Sequence, residues 1–184
     1  MGWSGRQRQR WPAYRAPRVA REPAHCYART GYTRVMRAVV QRVTRASVSV
    51  EGEVVGSIGN GLCVLVGVEG SDESQDAQAL AQKVAALRVF EDAQGRMNLD
   101  LRAVGGSVLA VSQFTLLGDV RRGNRPSFTQ AMEPDRARAL FDDFCSACRG
   151  LGFPTSTGIF RAHMAVDLVN DGPVTILVDT KKVF

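Results

Sequence analysis

From Arg37 to Val50, apolar and polar residues alternate in part, with Val39, Gln41 and Val43 on one parity and Ala46, Val48 and Val50 on the other. Period-two spacing predicts a strand. "EGE" at 51–53 reads as a turn, and Val54–Ile58 as a returning strand. "GLCVLVGV", 61–68, is a continuous apolar run of the kind buried on both faces of a sheet. The period then changes. Ala77, Leu80, Ala81, Val84, Leu87 and Val89-Phe90 form a helical stripe that opens after Ser71-Asp72. Asp72 and Gln75 stand at the spacing of a capping box.

"EDAQGRMNLDL", 91–101, predicts a connecting segment that turns at Gly95. "SVLAVSQFTL", 107–116, begins as a buried strand, and "GDVRRGNRPSF", 118–128, is a basic loop. Pro134 suits the first turn of a second helix, about 134–150, with Ala137, Leu140, Phe141, Phe144 and Cys148 on one face. Three strand-like segments follow, around 155–160, 163–170 and 174–181. The order ββ-βα-βα-βββ, without an internal repeat, predicts one layered α/β or α+β domain. Within it "NDGPVT", 170–175, interrupts two β-like runs. Asp-Gly alone suggests a hairpin, but a following proline belongs at turns, bulges and sheet edges.

Composition refines this picture. The chain has 184 residues, 45% hydrophobic and 23% charged, which suits one globular domain. No apolar run approaches membrane-spanning length. Cys26, Cys63, Cys145 and Cys148 have no disulfide-framework spacing, and no signal peptide is visible, so the expected location is a reducing cytoplasm.

The net charge of +6 is unevenly placed. Eight of the 24 basic residues and one of the 18 acidic ones precede Met36, which leaves 16 and 17 in the body. The body therefore has no overall electrostatic footprint for nucleic acid. Residues 1–35, rich in Arg, Pro, Gly and Tyr, lack apolar periodicity, and disorder is expected there. A translation start at Met36, an organelle-targeting peptide and a nucleic-acid-binding arm are three open readings of that extension.

Candidate chemistry is sparse. Cys145 and Cys148 have thioredoxin-type C-x-x-C spacing but fall near the end of a helix, where no helix N-terminus stabilises a thiolate. There is no second cysteine pair for zinc, and no metal or cofactor is expected. His163 is the body's one histidine, and its ordinary reading is packed or solvated rather than catalytic. Arg121, Arg122 and Arg125 in "RRGNRPSF" are either a solvated loop or a phosphate-contacting patch. Ser112, Gln113 and Thr115 bring three polar side chains to the end of an apolar strand, where α/β folds often bind ligands.

Together the pieces resemble the D-aminoacyl-tRNA deacylase family. The matching stretches are "MRAVVQRVTRASVSVEGE" (36–53), "NGLCVLVGV" (60–68), "GRMNLDL" (95–101), "GGSVLAVSQFTLLGD" (105–119), "GNRPSF" (123–128), "TGIFRAHM" (157–164) and "VNDGPVT" (169–175). The likeness runs from Met36 to the C-terminus. It implies a single three-layer β/β/α domain with mixed sheets, acting as a homodimer. It implies hydrolysis of the ester between a D-amino acid and tRNA, and of glycine mischarged on tRNA(Ala).

By the same resemblance, Ser112, Gln113, Phe114 and Thr115 line the pocket for the terminal adenosine and the ester, and Phe160 and Met164 flank the adenine. Gly172 and Pro173, joined by a cis bond in the family, reach into the partner subunit's site. Arg42 holds that loop. A backbone wall without a side chain rejects L-amino acids, which is selectivity by exclusion. The substrate's 2′-hydroxyl assists catalysis, with backbone donors near Phe114 and Thr115 facing the developing oxyanion. Thr115 as a covalent nucleophile is not expected, since no base stands near it in sequence. Arg161 departs from the pattern, because many relatives have a small residue there. The rival readings are a non-catalytic tRNA-binding module, a redox protein built on Cys145 and Cys148, and a proofreading relative tuned to L-alanine on the wrong tRNA, which would be expected to hold Gly172-Pro173 in trans.

Overall fold

A computed structural model describes residues 36–180 of the chain. The expectation of disorder in residues 1–35 falls outside them. The elements run β1 (Arg37–Val50), β2 (Glu53–Ile58), β3 (Gly61–Gly67), α1 (Ser74–Ala85), β4 (Phe90–Glu91), β5 (Met97–Leu99), β6 (Ser107–Ser112), a 3-10 turn (Phe114–Leu117), α2 (Pro134–Gly150), β7 (Thr155–Thr157) and β8 (Ala165–Asp179). The fold is mixed α/β, with two helices and a mostly sheet core.

The main sheet runs β2-β1-β3-β6-β7, and β8 also pairs with β1. β1 is the shared strand: β2, β3 and β8 all pair with it in antiparallel fashion. β3, β6 and β7 run parallel. The apolar runs of β3 and β6 are buried on both faces, as parallel strands require. Leu62, Val64, Val66, Val108 and Ala110 pack with Ala77, Leu80 and Val84 of α1 and Phe141 and Phe144 of α2. Cys63, Leu109 and Val111 form a second cluster with Val43, Ala46 and Val48.

β1 contributes to both clusters, one on each face, and a register slip changes which parity serves which. Ala38 and Val40 belong to the first, and Val43, Ala46 and Val48 to the second. Against β8, Val43 pairs with Asn170 and Arg45 with Val169, so Thr44 is an extra residue. One extra residue flips the parity of everything after it.

Four local expectations are corrected. Helix α1 starts one residue later than predicted: Glu73 is its cap, and the Glu73 N–H donates to the Asp76 carboxylate at 2.9 Å. Asp72 is instead buried, accepting the Glu69 N–H at 2.7 Å. The stripe through Val89-Phe90 is not all helix. α1 ends at Ala85, and Phe90 reaches the same core from the small β4–β5 hairpin, whose partner strand lies in the predicted connecting segment. β6 stops at Ser112, and the rest of its predicted length is the 3-10 turn.

The chain closes with two strands rather than three. The segments predicted at 163–170 and 174–181 are one strand, β8, because β1 runs past the interruption and pairs on both sides of it. Gln41 pairs with Thr175 and Val43 with Asn170, so residues 171–174 bulge opposite Arg42 alone. The proline thus sits at a bulge, where its missing N–H costs no ladder bond. Asn170 spans the bulge: its amide donates to Gln41 Oε1 at 2.6 Å, and its oxygen accepts the Val174 N–H at 3.3 Å.

Candidate active site

A cavity of about 500 Å³ opens where the parallel strands β3 and β6 end side by side. Its floor is Val66, Val111 and Ser112, and Gln113 and Phe114 follow directly. The first turn of α2 forms one wall with Pro134 and Ala137, and Phe160 to Met164 form the facing side. The lining is mainly apolar with a few polar groups, as small-ligand sites are.

The strand end is shaped by local bonding. The Gln113 N–H donates to the Val66 carbonyl at 2.7 Å, which keeps the chain on β3 for one residue beyond Ser112. The chain then tightens into the 3-10 turn. Gly67 makes room for it, since a Cβ there would stand 2.6 Å from Leu117 Cδ2 and 3.0 Å from the Gln113 carbonyl oxygen. The Leu116 N–H is the first donor used inside the turn, to the Gln113 carbonyl at 3.3 Å. The N–H groups of Phe114 and Thr115 precede it, as the leading donors of any helical turn do.

Phe114 is 59% exposed at the cavity and meets the Phe128 ring edge-on at 5.0 Å. Phe160 is half-buried and packs against Phe141, centroids 6.3 Å apart. Met164 is half-buried beside Gly158 and the second cluster. Of the residues expected here, the cavity unites Ser112, Gln113, Phe114, Phe160 and Met164. Thr115 is not among its lining residues, and its hydroxyl accepts a hydrogen bond from the Gln113 amide.

Arg42, Gly172 and Pro173 form a separate constellation. Arg42 is 4% exposed, and its fork reaches three residues in two segments. Nη1 donates to the Val89 carbonyl at 2.6 Å, Nε lies 3.2 Å from the Asp171 carbonyl oxygen and 2.9 Å from its carboxylate, and Nη2 lies 3.7 Å from Glu91 Oε1. Gly172 and Pro173, joined by a cis peptide bond, project exposed from the bulge above it. Neither lines the cavity of its own chain.

A profile of the D-Tyr-tRNA(Tyr) deacylase family matches residues 39–179. The chain belongs to this deacylase family. The family's hydrolases act on ester bonds. A curated relative from Anaeromyxobacter dehalogenans (strain 2CP-C), named D-aminoacyl-tRNA deacylase, is 59% identical over 149 residues, covering 81% of this chain and all of that one. A relative of the same name from Symbiobacterium thermophilum is 57% identical over 150 residues, covering 82% and 99%. Among solved structures, one titled c-Myc DNA Unwinding Element Binding Protein aligns with TM-score 0.73 at 41% identity, covering 77% of this chain and 97% of that one. A probable eukaryotic D-amino acid tRNA deacylase shares the fold, with TM-score 0.68 at 18% identity over 79% and 99% of the two chains.

Within this deacylase fold, the other candidates resolve as follows. Cys145 and Cys148 are buried on α2, and burial pushes both thiols up to about 12. Buried and held protonated near neutral pH, neither is placed as a reactive thiolate would be, which counts against the redox reading. Arg121 is tied to Asp119 at 2.6 and 2.9 Å, and that hydrogen-bonded guanidinium holds the Asp119 carboxyl far below the usual range. Arg122 also attracts the Asp119 carboxylate, and neither it nor Arg125 is held by a hydrogen bond among the described residues. No group of three or more His, Cys, Asp or Glu side chains fit for a metal occurs among the described residues. No described helix is long and apolar enough to cross a membrane.

Sequence reasoning missed several lining residues. Val66, Val111 and Phe141 read as core, and they are core residues that also face the cavity. His163, which reads as an ordinary histidine, lies on the lining. Phe128, inside the basic loop, is the neighbour of Phe114. The one available signal for it was an aromatic at the end of a Gly/Pro loop.

Proposed function

We propose that this protein hydrolyses the ester joining a D-amino acid to the 3′ end of tRNA, releasing free D-amino acid and tRNA. The reading extends to glycine mischarged on tRNA(Ala). The observation that carries it is the cavity formed by Ser112, Gln113 and Phe114 opposite Phe160 and Met164, in a chain whose curated relatives are named D-aminoacyl-tRNA deacylases.

The terminal adenine enters between Phe160, Met164 and Phe114, since aromatic faces accept a base by stacking. Ser112 and Gln113 orient the ribose and the ester. The Phe114 and Thr115 N–H groups serve the developing oxyanion, and the substrate's 2′-hydroxyl helps position water, so that the protein contributes orientation and electrostatics. Thr115 acts through Gln113 rather than as a nucleophile.

The Gly172-Pro173 bulge supplies the selective wall. Because it lies outside the cavity of its own chain and is exposed, we assign it to the site of a second copy, in a homodimer of three-layer β/β/α protomers. Arg42 fixes its direction. With no side chain at Gly172 the wall stands close to the substrate α-carbon and collides with an L-side chain. Work on tRNA in the cytoplasm agrees with free thiols at Cys63, Cys145 and Cys148.

The test is D-tyrosyl-tRNA and L-tyrosyl-tRNA given side by side to the purified protein without added metal. The expected result is release of D-tyrosine with the L-ester spared. Hydrolysis of neither would leave a tRNA-binding module without catalysis. Equal hydrolysis of both would remove the wall.

A further inference from the structure

Arg161 lines the cavity and is given no role by the reading above. Arg161 sits in a tight turn in which the Ala162 N–H donates to the Ile159 carbonyl at 3.2 Å. It occupies the third position of that turn with φ +65°. Among the described residues Glu51 is the other non-glycine with positive φ, so Phe160 before it has an ordinary φ. A negative φ followed by a positive one is the pattern of a type II turn, whose third position favours glycine or asparagine. A long L-side chain there works against the backbone, and such outliers gather at ligand clamps.

Its surroundings say what it could clamp. Arg161 is exposed, lines the cavity and makes no hydrogen bond or ion pair with any described residue. Several body arginines are committed elsewhere, Arg37 to the Leu116 carbonyl, Arg42 to Val89 and Asp171, Arg88 to Asn98, Arg102 to Leu151 and Arg149 to Thr155, and Arg161 is the arginine among the cavity's lining residues. No Asp or Glu stands among the cavity's lining residues, so an anion at its mouth would meet no repulsion from them. The preceding residue, Phe160, turns inward against Phe141. A base on Phe160 therefore leaves its sugar-phosphate beside the next residue, at the rim.

We infer that Arg161 forms a phosphodiester subsite at the mouth of the cavity, gripping the phosphate that links the terminal adenosine to the nucleotide before it. The inference rests on the deacylase reading above and adds to it how much of the tRNA strand the site holds. Arginine suits the task, since its planar fork pairs phosphate oxygens in bidentate fashion.

The experiment compares two esters with the same reacting group: D-tyrosyl-tRNA and the 3′-D-tyrosyl ester of adenosine, which has no phosphate. Arg161→Gln removes the charge. Arg161→Gly removes it while giving the turn its preferred residue, so folding is safeguarded. Arg161→Lys keeps the charge. In both neutral variants the loss of kcat/KM on the tRNA ester should exceed the loss on the adenosine ester by about tenfold, mostly through KM, as expected for one charged hydrogen bond. The Lys variant should recover part of it. The log–log salt dependence of kcat/KM on tRNA should flatten by about 0.7 in the neutral variants. Equal losses on both esters, or none on either, would overturn the subsite while the deacylase reading stands. A wild-type protein that cleaves neither ester overturns both.

Discussion

Gly172 has φ +115°, and a Cβ built on it would stand 2.8 Å from Val174 Cγ2 and 2.9 Å from Arg42 Nη2. Alanine at this position is opposed twice, by the backbone and by the guanidinium beneath it. Gly172→Ala should lower kcat/KM on D-tyrosyl-tRNA at least about tenfold and cost about 1–2 kcal/mol of stability. Steady-state kinetics and a urea midpoint check the two parts; near-normal activity would show that this bulge is not the selective wall. Much at this scale was readable in the sequence. The polar cluster Ser112, Gln113 and Thr115 announces itself by interrupting an apolar run. Arg42 does not: an arginine in a strand reads as solvent-facing, and its burial is created by Val89, Glu91 and Asp171, which are remote from it in sequence. The φ of Arg161 was equally hidden, because nothing in "IFRAHM" marks a turn.

Among the elements, α2 was legible to the residue at both ends, since Pro134 opens it and its stripe of Phe141, Phe144 and Cys148 is unambiguous. Its cysteines carry a pH consequence. Burial holds Cys145 and Cys148 protonated to about 12, whereas in the unfolded chain they ionise from about 8.5. Over that window the folded state binds more protons than the unfolded one, so stability declines as pH rises. Urea midpoints should begin to fall above pH about 9. Cys145→Ala/Cys148→Ala should shallow the decline, and native protein at pH 7 should leave both thiols unalkylated until urea is added. β8 was the element least legible. Asn-Asp-Gly-Pro carries every local mark of a chain reversal, yet pairing with β1 on both sides of it outweighs those marks. The end of α1 failed for a related reason: Val89 turns its carbonyl to Arg42, a demand no local pattern states.

At the scale of the whole molecule, charge sets residues 1–35 apart from the rest of the sequence, because the arginine excess stops there. The Anaeromyxobacter relative is matched in full by 149 residues of this chain. Removal of residues 1–35 should therefore leave hydrolysis of D-tyrosyl-tRNA intact; a loss of tRNA affinity that steepens with salt would instead make the extension a phosphate-binding arm. Which side chains of β1 share a face was less accessible, since β1 changes face at Thr44. That shared strand also sets where the molecule tolerates change. Inserting one residue between Arg37 and Arg42 would put the guanidinium on the wrong side of the sheet and break the register with β3 and β8 together. Length variation, affinity handles and fluorophores belong instead at the Glu51-Gly52 turn or in the 121–125 loop, where the backbone is exposed and serves no second strand.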